Sequence, residues 1–314
     1  MCEPAITQRS SAKQKEKFAQ ELARAQLPEH SIWFRGSRCC RLYSAVRFTV
    51  LPIRKTTWPL PQVAAFVQEY AEMPVPSLQA LCRQVGVSRC TTSKTLFKWL
   101  LGQEAALGYA RMQRCKLRGA LEGDGTCLKL FRRAQANFHV ALWGLVERPG
   151  SAQNPKCLIY LLPVKKTAAN SVCPVESRAD ILSTGGLEQI ERCLRSGRDT
   201  KSLLLTDGAQ VYGRLAKEYG LSHRFVVHSK GQFSEMQSAG RHGRVRVNTG
   251  LIDQTWTDVK GFVPKCLTAG TKNSDEPSYN PHLFQYLYAW WLRKNTPEAK
   301  ERLAMIGRAL RGAA

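Results

Sequence analysis

A chain of 314 residues has room for about two domains at roughly 100–200 residues each, and 43% hydrophobic residues exclude wholesale disorder. Its 47 Lys and Arg against 24 Asp and Glu give a formal charge of +23, which attracts polyanions from a distance and makes nucleic acid the expected partner. No apolar run reaches the ~18 residues of a membrane span, and Met1–Gln26 has no stretch suited to a signal peptide, so the expectation is an intracellular protein (nuclear in a eukaryote, nucleoid-associated in a prokaryote) with no membrane partner.

Residues 1–58 form a basic N-terminal region with 11 Lys or Arg, where Ala12–Gln26 suits a polar helix and Cys40–Leu51 a short hairpin. From Gln62 to Met73, Val63, Phe66, Val67 and Tyr70 recur at helical spacing, and Pro74 and Pro76 end that helix. Ser77 is placed to cap a second helix with Leu78, Leu81 and Cys82 on one face. Gly86 supplies a tight turn, and Ser88 is placed to cap a third helix carrying Thr92, Thr95, Leu96 and Trp99. Two helices joined by a short glycine turn, in a basic chain, predict a helix-turn-helix domain over residues 59–115. Its exposed face would present Arg89, Thr91, Lys94 and Lys98 to DNA; a three-helix packing element with a solvated basic face is the competing reading.

From Leu117 the pattern turns extended. Leu117–Glu122, Asn137–Glu147 and Cys157–Val164 read as strands, with breaks at Gly123, Gly125, Pro149, Gly150 and Pro155. A helix over Ala179–Arg195, a strand at Ser202–Thr206, a helix over Ala209–Tyr219 and a strand at Arg224–Val227 follow. Ser229–Gly250 reads as a basic loop whose Lys230, Arg241, Arg244 and Arg246 would contact DNA backbone, and Leu251–Phe262 as a helix. This order predicts an α/β domain over 116–295, a mixed sheet with flanking helices of the ribonuclease-H-like kind, followed by a basic C-terminal helix at 296–314.

Three acids fall at matched places in that topology. Asp124 would follow the first strand, Asp207 follows the fourth, and Asp253 lies in the first turn of the late helix. Adjacent first and fourth strands would bring them to one edge, where crowded carboxylates become tolerable once divalent cations neutralise them. Such oxygen donors suit Mg²⁺ or Mn²⁺, and two ions ~3.5–4 Å apart can serve an in-line phosphoryl transfer. Lys260, two helical turns beyond Asp253, could hold a phosphate there. Glu122 and Asp258 compete for places in the cluster, and any single Asp beside Gly is most often a turn residue. The 11 cysteines are scattered without a C-x-x-C pair and read as reduced core residues, so no zinc is expected. His223 and His228 read as structural or surface residues.

Over about Cys39–Asn295 the chain resembles DDE-type insertion-sequence transposases of the group related to the eukaryotic Merlin elements. Carrying the resemblance are Leu78–Leu100 as helix-turn-helix, Asp124-Gly125-Thr126, Thr206-Asp207-Gly208 with Tyr212 and Leu215, Ile252-Asp253 with Trp256 and Lys260, His228, and His282–Leu287 with Arg293. The resemblance implies a transposase: metal-dependent cleavage and strand transfer on double-stranded DNA, at transposon ends and target, with Asp124, Asp207 and Asp253 as metal-holding acids. A homo-oligomer is implied by the pairing of two ends. The chain departs from the family in carrying Asp rather than the commoner Glu as third acid. Where members often have an N-terminal zinc ribbon, this one has Cys39-Cys40. A domesticated, inactive DNA-binding protein and a nuclease of the same fold are the alternative readings.

Overall fold

The computed structural model describes residues 33–35, 42–44, 58, 60–117, 119–133, 136–148, 156–169, 171–186, 203–265, 267 and 281–312. In chain order the elements are β1 (Trp33–Arg35), β2 (Leu42–Ser44), α1 (Leu60–Glu72), α2 (Leu78–Val85), α3 (Thr91–Met112), β3 (Ala120–Arg133), β4 (Ala136–Glu147), β5 (Cys157–Leu161), β6 (Lys165–Ala168), α4 (Arg178–Ser183), β7 (Leu203–Thr206), α5 (Gln210–Glu218), β8 (Ser222–Phe225), β9 (Glu235–Ser238), β10 (Arg244–Val247), α6 (Gly250–Phe262), α7 (Pro281–Asn295) and α8 (Ala299–Gly312). They divide into two compact units, residues up to Leu107 with Leu292–Ala314, and Gly108–Trp291. The division falls inside α3 and α7, where no change of composition marks it. No helix among the described residues is long and apolar enough to cross a membrane.

In the first unit, α1 buries Val63, Phe66, Tyr70 and Ala71, the face that the helical spacing predicts. Ser77 caps α2, its Oγ accepting from the Ala80 N–H at 3.4 Å. Gly86 ends α2 in the left-handed region (φ 69°), which lets the Val87 N–H reach back to the Cys82 carbonyl. Ser88 does not cap α3 through its side chain. Its carbonyl accepts instead from the Cys90 N–H and the Ser93 hydroxyl, and α3 begins at Thr91. The ribbon-like Cys39-Cys40 and the Ala12–Gln26 helix lie outside the described residues. Within Cys40–Leu51 only Leu42–Ser44 is described, pairing antiparallel with the upstream Trp33–Arg35.

This unit also encloses a carboxylate. Glu104 is fully buried, accepting from the Tyr70 hydroxyl at 2.8 Å and from Arg293 Nε at 3.0 Å, with Arg302 Nε at 3.7 Å. Both guanidinium groups also donate to carbonyls at the end of α1, Arg293 to Tyr70 and Met73 and Arg302 to Ala71, while Arg302 donates further to Thr296 and Pro297. The orphan carbonyls of a helix C-terminus are thereby met by cations, as both hydrogen bonding and the helix dipole favour.

The second unit is a mixed sheet with flanking helices. Its strands run in the order β5-β4-β3-β7-β8, with β6 on the same edge of β4 as β5. Strand β4 is antiparallel to β3, β5 and β6, whereas β3, β7 and β8 are parallel neighbours. Central position explains the near-continuous burial of Val140–Val146 in β4 and of Leu203–Thr206 in β7. Helix α6 presents Ile252, Thr255, Trp256, Val259 and Phe262 to the core at helical spacing.

Several expected bounds change. The first strand begins at Ala120 rather than Leu117 and runs on to Arg133, because β4 pairs with it along its length and Gly123 and Gly125 hold ladder positions opposite Leu145 and Trp143. The third strand stops at Leu161, and a short polar strand β6 follows. Helix α4 ends at Ser183; the remainder of the expected Ala179–Arg195 helix past Gly186 lies outside the described residues. Ser229–Gly250 is not a plain loop: β9 and β10 pair across it, and Ala239 and Val247 join a core cluster with Leu203, Leu205 and Val226.

Candidate active site

The pairing of β3 with β7 sets the site. Glu122 lies opposite Leu205, and two residues further along these parallel strands come Asp124 and Asp207. Asp124 sits within β3 rather than after its end, so Glu122, Asp124 and Thr126 share one face of the strand. Helix α6 runs along that face. Four helical residues advance about 6 Å and two strand residues about 6.6 Å, so the repeats stay in step. In order, Glu122 Oε2 accepts from the Leu251 and Ile252 N–H groups at 2.8 and 3.1 Å, Asp124 Oδ2 accepts from Trp256 Nε1 at 3.2 Å, and Thr126 Oγ1 accepts from Lys260 Nζ at 2.7 Å.

Gly144 makes this approach feasible. It lies directly opposite Asp124 on β4, and a Cβ there would stand 2.8 Å from the Trp256 ring and 2.6 Å from the Leu158 carbonyl oxygen. The indole occupies the space that a side chain would fill.

Glu122 therefore does not belong to the acidic cluster. Its carboxylate caps the N-terminus of α6 and pairs with Arg148 at 2.7 Å, and Arg148 also donates to the Arg246 and Asn248 carbonyls. Asp258 accepts from Gln254 on the half-exposed side of α6.

Each of the three expected acids has a local donor. Asp207 follows β7 and accepts the Ala209 N–H at 3.1 Å, in a turn where the Thr206 hydroxyl takes the Gly208 N–H and meets His223 Nε2 at 2.9 Å. Burial, then Arg224, holds His223 below the usual imidazole range. Asp253 is exposed in the first turn of α6, where the Thr249 hydroxyl donates to its Oδ2 at 3.1 Å and the helix dipole favours a negative charge. Thr249 in turn meets His228 Nε2 at 3.5 Å.

A fourth acid, Glu176, escapes sequence reasoning. It stands just before α4, whose Ser177 forms a capping box with Asp180, and it accepts a hydrogen bond from the buried Tyr212 hydroxyl. It approaches β3 so closely that a Cβ on Gly125 would run into its carboxylate. The Ser-x-x-Asp capping signal at 177–180 was the available clue to this placement.

Asp124 responds to its acidic neighbours. Burial first, then the charges of Asp207 and Glu176, and more weakly Asp253, push Asp124 up to about 8 against the lowering effect of the Gly125 N–H. Burial, then Glu176, Asp124 and Asp207, hold Tyr212 well above the usual phenol range. Among the described residues none of Asp124, Asp207, Asp253 and Glu176 makes an ion pair. The described His, Cys, Asp and Glu side chains whose ligand atoms gather within 4.8 Å are instead Cys127, His139 and Cys173. Burial, then Cys127, pushes the Cys173 thiol up to about 12.

The expected DNA-contacting residues stand as follows. Arg89 precedes α3, and Thr91, Lys94 and Lys98 share one exposed stripe of it. Lys230 is exposed on the 3₁₀ turn His228–Lys230, and Arg241 belongs to the turn Gly240–His242. Arg244 and Arg246 are exposed at alternate positions of β10. Neither a protein-family model nor a curated protein matches the chain.

Proposed function

We propose that this chain is a DDE-type DNA transposase that cuts and joins phosphodiesters at the ends of a mobile element, with Asp124, Asp207 and Asp253 as its acids. The observation that carries the reading is the placement of the half-buried Asp124 among Asp207, Glu176 and Asp253, without an ion pair among the described residues: burial first, then these carboxylates, raise its pKa. A strongly perturbed acid held without a balancing cation is a candidate functional group. The strand order β5-β4-β3-β7-β8, with the lone antiparallel run on one side, supports a ribonuclease-H-like fold. Helix α2, the Gly86 turn and α3, with Arg89, Thr91, Lys94 and Lys98 exposed, support a helix-turn-helix that docks on double-stranded DNA. Capture of two transposon ends and a target would call for a homo-oligomer.

As carboxylate oxygens the donors suit hard divalent cations, but in this structure no three of these acids bring their oxygens within 4.8 Å of one another, so cation binding would have to draw them together. Mg²⁺ or Mn²⁺ held by Asp124, Asp207 and Asp253 would supply activation of the attacking oxygen and stabilisation of the leaving one. The protein's own part is positional. The Trp256 N–H orients the Asp124 carboxylate, the Ala209 N–H orients that of Asp207, and Thr249 orients that of Asp253. Lys260, exposed and steadied by Thr126, offers its ammonium to a DNA phosphate.

The test is strand cleavage and transfer on DNA carrying the genomic sequences that flank the reading frame, with Mg²⁺ or Mn²⁺. The wild type is expected to cleave and join, and Asp207→Asn to lose about 10³-fold of that rate, several kcal/mol of transition-state stabilisation. An inactive wild type, or equal rates in the two proteins, contradicts the reading; cleavage without joining identifies a nuclease. Two observations favour a domesticated, non-catalytic DNA-binding protein: the Trp256 indole already engages an oxygen of Asp124, and Asp253 is one methylene shorter than Glu. In that case the protein binds DNA and cleaves none.

A further inference from the structure

Away from the acids, three side chains distant in sequence come together. Cys127 lies on β3, His139 on β4, and Cys173 in the segment between β6 and α4. Their ligand atoms all lie within 4.8 Å of one another, with Cys127 Sγ 4.0 Å from His139 Nδ1.

The hydrogen bonds set the orientation of the imidazole. His139 Nε2 meets Thr167 Oγ1 at 3.0 Å, which leaves Nδ1 as the nitrogen that faces Cys127 Sγ. With a metal on Nδ1, Nε2 would carry the ring proton and the Thr167 hydroxyl would accept it. An imidazole whose far nitrogen is anchored by a hydrogen bond, while the near one faces other ligands, is the arrangement that orients metal-binding histidines. His139 is 2% exposed, so burial also fixes the ring.

We propose that Cys127 Sγ, His139 Nδ1 and Cys173 Sγ form a Zn²⁺ site, with water in the fourth position. Two thiolates and one imidazole are a donor set that zinc takes in tetrahedral geometry. Bonds of roughly 2.3 Å to sulfur and 2.0–2.1 Å to nitrogen put neighbouring tetrahedral ligands about 3.5–3.8 Å apart, so closure around the ion asks for a shift of a few tenths of an ångström at the 4.0 Å Cys127–His139 edge and of at most about 1 Å at the edges to Cys173, which lie within 4.8 Å. Binding sends the two thiol protons to solvent, and the two thiolates offset the charge of the ion.

The site has a structural consequence. Cys127 lies three residues beyond Asp124, and Cys173 three residues before Glu176. Zinc would staple the 171–176 segment to the β3–β4 ladder and so hold Glu176 against Gly125. Other ties already act on this segment: Asn137 donates to the Ser171 carbonyl at 3.3 Å, and Lys165 donates to that of Val175 at 3.0 Å. The proposal stands or falls independently of the DNA chemistry.

The test uses the full chain, purified under reducing conditions, stripped of metal and titrated with Zn²⁺ or with Co²⁺ as its spectroscopic substitute. Thiol alkylation mapped by mass spectrometry is expected to show Cys127 and Cys173 protected at least tenfold by Zn²⁺, with Cys90 unaffected. Co²⁺ should give thiolate-to-metal charge-transfer absorption that Cys127→Ser and Cys173→Ser each diminish and that a Cys39→Ser, Cys40→Ser double variant retains. Equal alkylation with and without Zn²⁺ overturns the site, as does a Cys127–Cys173 disulfide or an undiminished Co²⁺ signal in the two single variants. The alkylation measurement needs no variant, so a substitution that fails to fold does not blunt the test.

Discussion

Two carboxylates, the buried Glu104 and the half-buried Asp124, are treated in opposite ways. Glu104 is ringed by Arg293, Arg302 and the Tyr70 hydroxyl, and the guanidinium groups go on to close the end of α1. Asp124 has Asp207, Glu176 and Asp253 for electrostatic neighbours, and only neutral donors on its oxygens: the Trp256 and Gly125 N–H groups. A charge that the chain itself balances holds the fold together. One that the chain leaves in excess is, on the proposed reading, open to a cation from outside. The same side-chain chemistry, a carboxylate withdrawn from solvent, thus serves architecture in one unit and marks a candidate site in the other.

The sharpest way to break this contrast is through Glu104. Glu104→Ala would strand two buried guanidinium groups, and a loss of roughly 3–5 kcal/mol in urea-unfolding free energy is expected. A loss under about 1 kcal/mol would show that the network is not structural.

Asp124 should behave in the reverse sense. Its pKa of about 8 in the folded chain lies above the ~3.9 of an unfolded aspartate, so between those values the unfolded state binds fewer protons. Its burial therefore costs stability progressively as pH rises from about 4 to about 8. With chelator present, Asp124→Asn is expected to be more stable than wild type by roughly 2–4 kcal/mol at pH 8, the difference vanishing near pH 4. Parallel pH profiles of the two proteins would remove the idea that Asp124 is held at a cost.

The smallest expected effect concerns the proposed DNA-docking face of α2 and α3. Lys98→Ala should weaken DNA binding by about 1 kcal/mol and lower the salt slope of log K by about one, irrespective of DNA sequence. An unchanged slope would assign the exposed stripe of α3 to solvent alone.

How much of this was legible beforehand depends on the range of the interaction involved. Local signals were sufficient for α1, α2, β4, β7, α5 and α6, since periodicity, a Ser77 cap and the Gly86 turn act within a few residues. They misled at Gly123 and Gly125, which suggest a strand break but hold ladder positions once β4 runs alongside. They were silent on β9, whose side chains are mostly exposed and carry no apolar alternation. The contacts that define the sites are long-range: Glu122 with α6, Arg148 with Asn248, Glu176 with Tyr212, and Glu104 with Arg293. Nothing in a local window marks Glu122 as the cap of a helix 129 residues later. The Cys127, His139 and Cys173 cluster was hidden for the same reason, its intervals matching no zinc motif.

If Asp124 and its acidic neighbours take up divalent cations, calorimetric titration with Mn²⁺ at pH 8 detects it. Because Zn²⁺ could occupy the thiol cluster, the protein for this titration is loaded with one equivalent of zinc first. Wild type is expected to bind Mn²⁺ with release of protons and a rise in Tm, and Asp124→Ala to lose that heat and that rise. Mn²⁺ binding that persists undiminished in Asp124→Ala, or a wild type that binds none, would contradict it.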